Sequence, residues 1–74
     1  MINNRDIGVL KAFGENLRGI REKKGISQLQ LGLKADISKN QIGNIERGEV
    51  NATVISILAI AKALGISPKD LFDF

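Results

Sequence analysis

Two helix-start signatures, Ser27-x-x-Gln30 and Ser38-x-x-Gln41, follow each other so closely that the helix opened by the first must end before the second begins. Ser at such a position accepts from an otherwise unpaired N–H of the first helical turn, and Gln three residues on reaches back to the N–H of the cap. With one helix over about Ser27 to Ala35 and the next over about Ser38 to Arg47, only Asp36 and Ile37 separate them. Helices joined that tightly must turn sharply and pack on each other. Gly32 and Ala35 are small enough for the crossing, and Leu31, Ile37, Ile42 and Ile45 have the spacing to fill the space beneath it. The outside of the second helix then carries Lys39, Asn40, Gly43 and Asn44, with Arg47 toward its end, a polar stripe without an acid.

The same punctuation organises the rest of the chain. Thr53 and Ser67 stand ahead of further apolar stretches, and Ser67 is followed by Pro68, a residue favoured at the first helical position. Gly25, Gly48 and Gly65 follow Lys24, Arg47 and Leu64, where a left-handed residue ends a helix. Starts and stops interleave into five helices, and no alternating strand pattern or repeat competes, so the expected fold class is all-α and one domain spans residues 1–74. The first helix runs from about Asp6 to Lys24 on the stripe Ile7, Leu10, Phe13, Leu17 and Ile20, with residues 1–12 as its N-terminal extension. Gly8, Gly14 and Gly19 each cost about 0.5–1 kcal/mol against Ala, so its early turns are expected to fray or bend. Helices over Thr53–Leu64 and Pro68–Phe72 complete the set.

With 74 residues and no Cys or His, the chain lacks the disulfides and most of the metal ligands that usually support so small a core, which leaves self-association. The same absence removes the ordinary nucleophile–base pairs and zinc sets, and no glycine-rich phosphate loop joins a strand to a helix. The acids read as surface or capping groups. The expectation is a protein that is not an enzyme and takes no cofactor. The net charge of +3 is uneven: residues 1–48 carry +4 and residues 49–74 carry −1, and the basic part contains the helix pair described above. Absence of Cys, of a signal peptide and of an 18-residue apolar run is the basis for expecting a cytoplasmic protein without membrane contact.

The segments Gly14-Glu15-Asn16-Leu17-Arg18, Arg21-Glu22-Lys23-Lys24-Gly25-Ile26-Ser27-Gln28, Leu31, Ala35-Asp36-Ile37-Ser38, Gln41-Ile42, Ile45-Glu46-Arg47-Gly48 and Ile60-Ala61-Lys62-Ala63-Leu64-Gly65 carry a resemblance. Through them the chain resembles the Cro/repressor, or Xre-type, helix-turn-helix family of phage and bacterial regulators over about residues 13–72. The resemblance implies a five-helix domain whose third helix reads the major groove of double-stranded DNA. It is similar to small stand-alone members, such as phage Cro-like repressors and restriction-modification controller proteins.

Carried over position by position, Lys39, Asn40 and Asn44 match the base-reading residues; Lys can donate to guanine O6 and N7, and Asn can pair with adenine N6 and N7. Gln28, at the start of helix two, matches the residue that braces the DNA backbone. Other backbone contacts are expected from Ser38, Gln41, Arg47, Asn51 and Lys34. Arg21 and Glu46 match a pair that links helix one to helix three. The chain departs from the family in having Gly32 where Ala is frequent, Asp36 where Gly is frequent and Ala52 where Pro is frequent. Asp enters the left-handed region more readily than most residues, and the loop Gly48–Ala52 lacks basic groups for phosphate.

Helix four is apolar nearly all round: Val54, Ile57, Leu58, Ala61 and Leu64 supply an inner face, and Ile55, Ala59, Ile60 and Ala63 extend it. With Leu71, Phe72 and Phe74 the surplus suits a two-fold homodimer, for which Ile55, Ala59, Ile60 and Phe74 are the expected interface. The alternative is a protein-interaction module, such as an antitoxin whose partner covers that surface; a polymerase subunit is a further conceivable protein partner.

Overall fold

A computed structural model describes residues 6–74, so the part of the N-terminal extension at residues 1–5 lies outside the described residues. The order is α1 (Ile7–Lys23), α2 (Gln28–Ala35), α3 (Lys39–Glu46), α4 (Val54–Leu64) and a 3-10 helix (Pro68–Phe72). The fold is all-helical, with four α-helices among the described residues; the fifth expected helix is present as the tighter 3-10 turn.

Three of the four expected Ser/Thr side chains hold their helix starts, with Asp6 in addition; at the 3-10 helix the Ser67 N–H instead donates to Asp70 Oδ2 at 3.2 Å. Ser27 Oγ accepts from Gln30 N at 3.0 Å while Gln30 Oε1 accepts from Ser27 N at 2.7 Å, closing the reciprocal box. Ser38 accepts from Gln41 N at 3.1 Å, Thr53 from Ser56 N at 3.1 Å and Asp6 from Val9 N at 3.1 Å. At the stops, Gly25, Gly48 and Gly65 adopt φ of 71°, 71° and 70°. Asp36 has φ 58°, so this non-glycine residue takes the left-handed position that lets α2 turn into α3.

Leu17, Leu31, Ile42, Ile60 and Leu71 form the fully buried centre, joined by Phe13, Ala35, Ile45, Ala61 and Leu64. One residue or more from every element therefore enters a single core. The expected inner face of α4 is rotated in the structure. Ile57, Ile60, Ala61 and Leu64 face inward, whereas Val54 and Leu58 are 70% and 46% exposed. Those four inward positions have the i, i+3, i+4, i+7 spacing that one helix face requires. Leu71 is likewise core and not surplus surface, because the 3-10 helix folds it under α1 and α4.

α1 is continuous through its glycines. Gly14 is where α1 crosses the end of α3: a Cβ there would run into the main-chain oxygens of Ile45 and Glu46. Gly32 plays the same part inside the turn, against the main-chain oxygen of Ile37. Both positions exploit the missing side chain for close backbone approach. Asn16 Nδ2 donates to the carbonyls of Asp70 and Leu71, both at 2.9 Å, and so ties the 3-10 helix to α1. No helix among the described residues is long and apolar enough to cross a membrane.

Candidate nucleic-acid interface

The α2–turn–α3 unit presents its polar side as one shallow depression lined by Gln28, Lys39, Asn40, Gly43, Asn44 and Arg47. These residues come together because α2 begins beside the outer face of α3. Lys39, Asn40 and Gly43 occupy one face of α3, with Asn44 flanking it, while Ile42, Ile45 and Glu46 are buried on the other. Opposite faces of one eight-residue helix thus carry a polar ridge and the plug that holds it.

Behind the ridge, Arg21 from α1 meets Glu46 from α3 in a two-pronged pair: Nε donates to Oε2 at 2.6 Å and Nη2 to Oε1 at 3.0 Å. The third prong, Nη1, donates to the Ile26 carbonyl at 2.9 Å, just before the α2 cap. Side-chain exposure is 10% for Arg21 and 3% for Glu46, so the pair is shielded from solvent. Hydrogen bonding to Glu46 holds the Arg21 proton more tightly than usual, against burial, which acts in the other direction. Among the described residues no buried side-chain nitrogen or oxygen lacks a hydrogen-bond partner.

Gln28 is not the free brace that its position suggests. Its Nε2 donates to Glu46 Oε1 at 3.0 Å, so the side-chain amide completes the buried network. One N–H of the amide is used in this way; its second N–H and the main-chain N–H of the first turn remain at the start of α2 for an external acceptor.

Arg47 is also engaged. Its Nη2 donates to Asn44 Oδ1 at 2.6 Å and its Nε to Glu49 Oε1 at 3.1 Å. The spacing of Asn44 and Arg47, three residues on one helix, is a signal for such contact that residue type alone does not reveal. Ser38 and Gln41 are exposed at the start of α3 and Lys34 is exposed on the last turn of α2, outside the depression. Asn51 lies elsewhere, in a groove shared with Ile7, Leu10, Lys11, Arg47, Gly48 and Glu49.

Of the expected self-association residues, Ile55 is 76% exposed and Phe74 57% exposed, and Ala59 is half-buried. Ile60 is 0% exposed and belongs to the core, so it offers no surface to a second chain. The exposed apolar ridge of α4 consists of Val54, Ile55 and Leu58. Phe74 already packs edge-on to Phe13, centroids 6.5 Å apart.

Residues 17–71 match the helix-turn-helix (HTH_3) family profile. The control protein C.BamHI of Bacillus amyloliquefaciens is 44% identical over 63 residues, covering 84% of this chain and 78% of that protein. The crystal structure of the restriction-modification controller protein C.AhdI from Aeromonas hydrophila superposes with a TM-score of 0.84 at 40% identity, over 85% of this chain and 96% of that one. The P22 c2 repressor, solved in complex with a synthetic operator, superposes with a TM-score of 0.76 at 36% identity, over 82% and 92% of the two chains.

Proposed function

Since this chain belongs to the Xre-type helix-turn-helix family, we propose that it is a transcriptional regulator that binds double-stranded DNA in a sequence-specific manner, with α3 in the major groove. The observation that carries this reading is the acid-free depression on α3, backed by a buried plug and a bidentate ion pair that hold it rigid. Lys39, Asn40 and Asn44 face the base edges. The main-chain start of α2 at Gln28, together with Ser38, Gln41 and Lys34, flanks them toward phosphate, and Asn51 approaches from the loop after α3. The relatives support the role, because they are named control proteins and repressors and one of them is seen on an operator.

The regulator acts as a homodimer on a pseudo-palindromic operator. One ridge makes few base contacts, whereas two copies reading half-sites about one helical turn apart multiply specificity. Val54, Ile55 and Leu58 supply the apolar surface for that association, beside the half-buried Ala59.

Selection of duplexes from a random pool, with no other protein added, tests the reading. The wild type enriches a two-fold symmetric site, and Lys39→Ala relaxes the preference at one position of each half-site. In sedimentation the wild type is a dimer and Ile55→Glu a monomer with weakened operator binding. Failure to enrich any sequence would favour a protein-interaction module such as an antitoxin.

A further inference from the structure

Arg47 is held at three points. Nε is on Glu49, Nη2 is on Asn44, and the guanidinium lies over Gly43, where an added Cβ would sit 3.0 Å from Nη1 and 3.7 Å from both Cζ and Nη2. Gly43 is buried although it lies on the outer face of α3, because the guanidinium covers it. The arginine therefore has a seat, a tether and a target.

A guanidinium only donates, so the Asn44 atom facing it must be the carbonyl oxygen and not the amide nitrogen. That choice has a consequence for DNA. Pairing with adenine N6 and N7 needs a carbonyl that accepts from N6 and an NH2 that donates to N7. Here one lone pair of the oxygen is taken by a charge-assisted bond at 2.6 Å, which makes it a poorer acceptor for a further N–H and leaves both N–H donors of Asn44 open. Guanine presents O6 and N7, both acceptors, in the same groove. We propose that Arg47 is a positioning residue that, seated on Gly43 and tethered by Glu49, holds the Asn44 amide so that Asn44 reads guanine instead of the adenine its residue type suggests.

The inference rests on the proposed placement of α3 in the major groove, and it changes the part expected of Arg47 from a backbone contact to a specificity determinant acting through Asn44. Pool selection with wild type, Arg47→Ala, Asn44→Ala and the double variant tests it, with thermal melting to confirm that each variant folds. Wild type selects guanine at the Asn44 position. Arg47→Ala frees the oxygen and moves the guanine-to-adenine ratio there by about tenfold toward adenine. The same replacement made on top of Asn44→Ala leaves the ratio unmoved, as expected for a residue that acts only through its neighbour. Glu49→Ala, which removes the tether but leaves Arg47 in place, moves the ratio in the same direction by less.

If Arg47 is merely a phosphate contact, Arg47→Ala weakens all duplexes alike, lowers the slope of log affinity against log salt by about 0.9 and leaves the ratio unchanged. That outcome overturns the proposal, as does adenine at the Asn44 position in the wild-type site. Enrichment of no sequence by the wild type would instead overturn the DNA-binding function itself, and this inference with it.

Discussion

Two Arg–Glu pairs, Arg21–Glu46 and Arg47–Glu49, meet at the end of α3 and teach different things, although Glu46 and Arg47 are adjacent in sequence. In the first, side-chain exposure is 10% and 3%, and three elements depend on it. In the second both side chains are 56% exposed. Water screens the outer pair and leaves it little influence on folding, whereas the inner pair has no solvent to replace a missing partner. The end of α3 thus separates two kinds of charge by direction: inward charge fixes where α3 sits, and outward charge is left to shape the exposed face proposed to meet DNA.

The contrast is broken most severely by Glu46→Ala. That change strands the Arg21 guanidinium and the Gln28 amide, and is expected to cost about 3–5 kcal/mol, a fall in melting temperature of about 12 °C or more for a chain this size. An unchanged melting point would mean that the inner pair is as dispensable as the outer one. Gln28→Ala sharpens the comparison, because it removes one bond to Glu46 and leaves Arg21 in place; a loss of about 1 kcal/mol in chemical denaturation is expected. Glu49→Ala should change stability by less than about 0.5 kcal/mol in the same assay. A larger loss there would show that the exposed pair supports the fold.

What was legible in the chain beforehand follows from how local each signal is. Ser27, Ser38 and Thr53 cap helices through neighbours three residues away, and Gly25, Gly48 and Gly65 end them through their own φ, so the α2–turn–α3 unit can be read directly. The rotation of α4 cannot be read that way. With apolar residues on nearly every side, several stripes fit, and only packing against α2 and the 3-10 helix turns Ile60 inward and Leu58 out. Composition marks Gly14 as a weak point of α1, whereas in the fold it is the contact that brings α1 against α3. Asn16 anchors carbonyls 54 and 55 residues away, a separation at which no local pattern exists. Within the site, the positions of Lys39, Asn40 and Asn44 follow from helical periodicity. The engagement of Gln28 with Glu46 and of Arg47 with Asn44 depends on side-chain geometry that spacing permits but does not require.

The central claim is that the outer face of α3 meets the base edges while its inner face stays locked. A titration of isotope-labelled protein with its selected duplex, followed by amide NMR, addresses both halves at once. The account predicts the largest shifts at residues 38–44 and at the start of α2, with Ile42 and Ile45 side-chain methyls and the Arg21 Nε resonance retaining their free-state environment. Shifts confined to α4 and the C-terminal 3-10 helix, with residues 38–44 unmoved, would contradict it.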